Sequence, residues 1–174
     1  IALPGMLHVA FARSPIARGR ILSIDTGVAR DVPGVHAIYT QHDLALRKVD
    51  MLSFYFSPQD VATTPLADGR VAYVGEPLAL VIADSRRVAE DAASLVEVEY
   101  TEEDPVVTIA DARHGSPVHP GMTDNVNAQM GDEEIDEELA ALLEGAPHRV
   151  THRVVHQRIS QSPMETRGVV VTRD

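Results

Sequence analysis

The sequence contains no cysteine, and only 4% of its 174 residues are aromatic. Without cysteine the chain supplies no disulfide, no thiolate nucleophile and no iron–sulfur ligand. Its longest apolar run, Pro77 to Ala83, is far shorter than the roughly 20 residues that a membrane-spanning helix requires. Because the chain also shows no arginine-rich or apolar leader segment, it predicts a cytoplasmic location.

Basic residues are scarce as well: 15 Lys and Arg stand against 26 Asp and Glu, which gives a formal net charge of -11 at pH 7. This balance argues against nucleic acids and anionic membranes as main partners. Seven of the acidic residues lie between Asp132 and Glu144, a stretch without basic residues. The apolar residues of this stretch share one helical face: Ile135, Leu139, Leu142 and Leu143. We predict an acidic helix that is solvated or docks a basic partner, and no calcium loop, whose spaced oxygen ligands and central glycine are missing.

What the sequence does contain is typical of a globular protein with a buried core. Hydrophobic residues make up 44%, charged residues 24%, and the mean hydropathy is -0.07. The length gives room for one domain, or for one domain and part of a second. The chain opens at Ile1 without a methionine and stops at Asp174 just after an apolar run. We therefore expect it to be a piece of a longer protein.

Residues 1–113 predict a compact α/β domain with a mixed sheet and packed helices. The continuous apolar run Leu78 to Ala83 predicts a strand that is covered on both faces. The following helix, Ser85 to Leu95, places Val88, Ala92 and Leu95 on its inner face. The remaining predicted strands are Met6–Ala12, Arg20–Asp25, Val35–Tyr39, Val71–Val74 and Val96–Tyr100.

Residues 114–147 predict a linker that contains the acidic helix, since prolines, glycines and asparagines interrupt the stretch before it. Residues 148–174 predict two strands of an incomplete second domain, Arg149 to Ser160 and Gly168 to Thr172. Apolar side chains such as Val150 should then lack a covering layer, and exposed strand edges of this kind recruit partners or a second copy.

Two motifs suggest chemistry but have simpler interpretations. His148, His152 and His156 recur every four residues, but on a strand each lies about 13 Å from the next, too far to share a metal ion. We interpret them as exposed strand positions. Gly75-Glu76-Pro77 suggests a glutamate base whose pKa is raised by burial, but its composition favours a tight turn.

The one compact polar cluster between predicted strands is Pro163 to Gly168. Glu165 and Arg167 lie either at a site, because loops between strands place polar groups on a rigid base, or in an exposed turn. The sequence contains no phosphate loop, dinucleotide fingerprint, nucleophile elbow or metalloprotease helix. From the residues alone we predict an α/β domain without a complete active site, with no catalytic residue and no metal ligand of its own.

Seven short segments follow one another in an order and spacing that resemble a known domain. They are Pro4–His8, Arg13–Pro15, Arg20–Thr26, Pro33–Ala37, Asp43–Leu44, Val71–Pro77 and Leu95–Tyr100. Together they resemble the α/β hammerhead domain of the molybdenum hydroxylases, the xanthine dehydrogenase and aldehyde oxidase family. The closest resemblance is to the large subunit of aerobic carbon-monoxide-dehydrogenase-type enzymes. Residues 149–174 resemble the start of the family's molybdenum-cofactor-binding domain.

The resemblance implies an oxidoreductase that hydroxylates a carbon centre, or oxidises carbon monoxide, at molybdenum bound by molybdopterin cytosine dinucleotide. It also implies FAD-binding and iron–sulfur partner subunits with FAD and 2Fe-2S clusters, and places Glu165 and Arg167 near the cofactor. The family's catalytic glutamate lies far beyond this chain, so Glu76 does not inherit its role. We expect this chain alone to lack catalytic competence. The alternative function is a free-standing, non-catalytic hammerhead interaction module.

Overall fold

The computed structural model describes residues 3–49, 62–126, 136–157, 159, 162–165 and 168–172. The chain divides into two compact units, Ile1–Gly131 and Asp132–Asp174. The strands are β1 (His8–Arg13), β2 (Gly19–Asp25), β3 (Val35–Thr40), β4 (Arg70–Val71), β5 (Pro77–Ala83) and β6 (Glu97–Glu102). The helices are α1 (Gly27–Arg30), α2 (Gln41–Leu44), α3 (Arg86–Ser94), α4 (Ile109–His114) and α5 (Glu137–Gly145). The predicted combination of helices and strands is confirmed.

The strands form two three-stranded antiparallel sheets, ordered β1-β5-β3 and β4-β2-β6. The prediction of a mixed sheet is therefore wrong in this detail. A strand, helix, strand sequence commonly places its two strands side by side and parallel. Here β1 and β3 already occupy both edges of β5, so β6 pairs with β2 in the other sheet, with Val98 opposite Ile24.

Strand β5 contributes to both parts of the core because successive side chains on a strand point to opposite faces. Ala79 and Val81 belong to one buried cluster with Ile38, and Leu78 belongs to a second cluster with Val71. The prediction of a strand covered on both faces is thus confirmed at its first half. Farther along, the outer face is only half-buried.

Helix α3 packs against β1 and β5, and its small buried side chains, Ala89 and Ala92, allow the helix to lie close to the sheet. The predicted inner face is correct at Ala92 and wrong at Leu95, which is 41% exposed. The reason is that the helix ends at Ser94, so Leu95 no longer follows the helical period.

The hydroxyl of Ser85 caps helix α3 by accepting a hydrogen bond from the Val88 amide at 3.3 Å. We expect Ser85→Ala to lower the free energy of unfolding by about 1 kcal/mol, because the amide then has no protein acceptor in the first turn. Ser85→Asp retains an acceptor and should behave like the parent chain. Urea unfolding followed by circular dichroism measures both variants, and an unchanged midpoint for Ser85→Ala would contradict the capping role.

The second unit contains one helix among its described residues, α5, which Asp136 caps by accepting from the Leu139 amide at 2.7 Å. The predicted acidic helix is confirmed from residue 137 onward, and residues 132–135 lie outside the described part. The two predicted strands are wrong in the described residues 149–157 and 168–172, which pair with no neighbouring strand there. A strand is stable only with a partner to satisfy its backbone. Their valines are exposed as expected, with Val150 at 91%.

Candidate functional site

Three arginines surround a single carboxylate where the second sheet ends. The register of β2 and β4 places Arg20 opposite Arg70, and Glu103 follows directly after β6. Glu103 Oε2 lies 3.3 Å from Arg18 Nε, and its Oε1 lies 3.6 Å from Arg20 Nε. Arg70 Nη2 donates a hydrogen bond to the same carboxylate. We call Arg18, Arg20, Arg70 and Glu103 the Glu103 cluster.

Arg18 also forms a hydrogen bond to a downstream segment that begins at Pro117. Its side chain is only 11% exposed, and its Nη2 donates to the Pro117 carbonyl at 2.9 Å. Asn125 fixes the same segment by accepting from the Val118 amide at 2.8 Å. Residues 117–122, here called the 117–122 segment, therefore lie against the end of the second sheet.

Between the sheet and the 117–122 segment lies a first cavity of about 460 Å³. Arg20, Arg70 and His119 supply its polar side chains, and Pro117, Val118, Pro120 and Met122 supply apolar ones. Because its charged side chains are arginines, the cavity can bind an anion.

The predicted turn at Glu76 is confirmed. Gly75 has a φ of 90°, a conformation that favours glycine, and its amide donates to the Ser14 carbonyl at 2.8 Å. The Glu76 side chain is buried, and its Oε2 accepts from the Ala72 amide at 2.6 Å. Burial raises the pKa of the Glu76 carboxyl, while hydrogen bonds from the Ala72 and Tyr73 amides and the charge of His119 act in the opposite direction. Glu76 thus closes its own turn.

A second cavity, of about 240 Å³, adjoins Glu76 and shares Arg70 and His119 with the first. Its lining includes Lys48, Asp68 and Glu76. Charges of both signs therefore surround this cavity, in contrast to the first.

The predictions for the second unit concern Glu165, Arg167 and three histidines. Glu165 is exposed, and Arg167 lies outside the described residues. His148, His152 and His156 are exposed as predicted, although not on a strand. Within the described residues no group of three or more His, Asp or Glu could bind a metal ion, and no helix there is long and apolar enough to cross a membrane.

The sequence pattern does not predict the Glu103 cluster. Its members are separated by as many as 85 positions along the chain (18 to 103), and only Arg20 lies in one of the seven segments that carry the family resemblance. The only local signal is the pair Arg18 and Arg20 at the start of a strand. Their convergence on Glu103 depends on strand register, which the sequence pattern does not specify.

The family model described as "Aldehyde oxidase and xanthine dehydrogenase, a/b hammerhead domain" matches residues 1–104. Over 175 residues the chain is 38% identical to the nicotine 6-hydroxylase large subunit of Paenarthrobacter nicotinovorans, covering 97% of this chain and 21% of the relative. It is 34% identical over 187 residues to the carbon monoxide dehydrogenase large chain of Hydrogenophaga pseudoflava, covering 100% of this chain and 23% of that protein. The chain thus spans about a fifth of the length of these relatives.

The fold is also similar to solved structures. Quinoline 2-oxidoreductase from Pseudomonas putida 86 superposes with a TM-score of 0.70 at 35% identity, covering 85% of this chain and 19% of that one. Aldehyde oxidoreductase from Desulfovibrio gigas superposes with a TM-score of 0.65 at 31% identity, covering 72% and 14%.

Proposed function

Because the chain belongs to the aldehyde oxidase and xanthine dehydrogenase family and contains its hammerhead domain, we propose that it acts as the hammerhead portion of the large subunit of a molybdenum-dependent oxidoreductase. The observation that carries this proposal is the family match over residues 1–104. The alternative of a free-standing interaction module is not favoured, since the matched proteins include large subunits of oxidoreductases.

The complete enzyme, in this proposal, hydroxylates a carbon centre or oxidises carbon monoxide at molybdenum bound by molybdopterin cytosine dinucleotide. Relatives named as a molybdenum-binding subunit and as the gamma subunit of a dehydrogenase complex support this assignment. The partners are then the rest of the large subunit and the subunits that bind FAD and 2Fe-2S clusters, in the cytoplasm. A homo-oligomer through exposed edges is a further proposed assembly.

The described residues alone do not form a complete site for the molybdenum cofactor. They supply no cluster of ligating side chains, and Glu165 is exposed. We therefore assign no catalytic step to them. Glu165 and Arg167 keep their proposed place near the cofactor of the complete enzyme.

Metal analysis of the 174-residue chain and of the complete enzyme tests the proposal. We expect stoichiometric molybdenum and substrate oxidation only in the complete enzyme. In that enzyme, Glu165→Gln should lower the molybdenum content, while Glu144→Gln, at an exposed glutamate of α5, should leave it unchanged.

Stoichiometric molybdenum in the chain alone, together with oxidation of an aldehyde or purine, would overturn the proposed function. Equal molybdenum contents of the Glu165→Gln and Glu144→Gln enzymes would instead remove Glu165 from the cofactor's surroundings.

A further inference from the structure

The first cavity has more positive charge than its own counter-ion balances. Of the Glu103 cluster, Arg20 and Arg70 line this cavity and share one carboxylate, Glu103, so these two guanidinium groups carry one more positive charge than their counter-ion. No Asp or Glu is among the described residues that line this cavity. Two arginines in the lining, without an acidic side chain among the described lining residues, point to an anionic ligand.

The strand register brings like charges together, so the chain without a ligand is destabilised by their repulsion. Arg20 and Arg70 are direct cross-strand partners, and like charges in opposite positions repel each other. Arginine does not relieve the repulsion by losing a proton, because its guanidinium stays charged at any ordinary pH. Glu103 offsets only part of it, so a bound anion would offset the rest.

The donors suit a phosphate group. Arginine presents a planar set of N–H donors that matches phosphate oxygens, and a phosphate monoester carries close to two negative charges at pH 7. That negative charge complements the two guanidinium groups that line the cavity. Arg20 is 67% exposed, so it can turn toward a ligand, and His119 adds a ring nitrogen to the lining.

The size and remaining lining indicate that the phosphate belongs to a larger molecule. A volume of about 460 Å³ lies in the range of small-molecule sites and exceeds what a phosphate ion fills. Pro117, Val118, Pro120 and Met122 provide apolar surface beside the arginines. We propose that the first cavity binds a small phosphate monoester, with its phosphate on Arg20 and Arg70 and its carbon portion against the 117–122 segment. This inference depends on the cavity alone and not on the proposed function.

Calorimetric titration of the 174-residue chain with ribose 5-phosphate, inorganic phosphate and ribose tests the proposal at low salt. We expect ribose 5-phosphate to bind more tightly than inorganic phosphate, and ribose not to bind. Added NaCl should weaken the binding of both phosphate ligands because it screens the charges. Equal affinity for the two phosphate ligands would overturn the assignment of the carbon portion to the 117–122 segment.

Three variants locate the binding. Arg20→Gln should lower the affinity for ribose 5-phosphate about tenfold, as expected for the loss of one charge-assisted hydrogen bond. Arg86→Gln is the matched control, since Arg86 is also exposed and paired with a glutamate, but lies on α3. It should bind as the parent chain does. Glu103→Gln should bind several-fold more tightly, because the internal competitor for the arginines has lost its charge.

The proposal is overturned if none of the phosphate ligands binds, or if Arg20→Gln binds as tightly as Arg86→Gln. Weaker binding of ribose 5-phosphate by a Glu103→Gln chain with an unchanged circular dichroism spectrum would also overturn it. If Glu103 competes with the ligand for the arginines, removing its charge can only strengthen binding.

Discussion

Replacing Ile38 by alanine is expected to lower the free energy of unfolding of the first unit by about 2–5 kcal/mol. Ile38 lies in the middle of β3, has no exposed surface, and packs in the cluster formed with Ala79, Val81 and Ala92. The substitution removes buried apolar atoms and leaves a cavity that small alanine neighbours cannot fill. Urea unfolding monitored by far-ultraviolet circular dichroism measures the loss.

Two variants serve as controls for this prediction. Ile38→Val should lower the free energy of unfolding by only about 1 kcal/mol because it removes a single methylene group. Leu22→Ala changes a strand residue that is 63% exposed, so its effect should stay within about 0.5 kcal/mol. Equal losses at Ile38 and Leu22 would mean that the core does not lie between β3, β5 and α3.

Glu76→Ala is expected to destabilise the chain by about 1–3 kcal/mol relative to Glu76→Gln, because alanine leaves the Ala72 amide without its side-chain acceptor. Glutamine keeps an acceptor and removes the charge. Since burial raises the pKa of the Glu76 carboxyl, its ionised form is penalised in the folded state. At neutral pH Glu76→Gln should therefore be at least as stable as the parent chain.

The contribution of Glu76 to the free energy of unfolding should fall as the pH rises. Between the ordinary glutamate pKa of about 4.3 and the raised pKa of folded Glu76, the folded state binds more protons than the unfolded state. The contribution of Glu76 is thus fully present below the unfolded pKa and is lost as the pH rises through the folded pKa. The stability advantage of Glu76→Gln over the parent chain should grow across this window and then level off. A growing advantage on acidification would contradict the raised pKa.

Much of the first unit is predictable because its segments are short-range patterns. The apolar run of β5 and the Ser85 cap each depend on neighbours within a few positions, and the Gly75 turn depends on one glycine. In the described residues 149–157 and 168–172 the predicted strands are absent for the opposite reason. Their β-branched residues favour a strand, but a strand also needs a partner, and the described residues offer none.

By itself the sequence determined the hammerhead resemblance, most strands of the first unit, the acidic helix and the exposure of the histidines and valines after residue 147. Only the tertiary structure decided that the strands form two antiparallel sheets, and that Arg18, Arg20 and Arg70 converge on Glu103. The physical reason is strand register. Local propensity fixes which residues are extended, whereas burial and backbone pairing over the whole unit decide which residue lies opposite which, and therefore where charges meet.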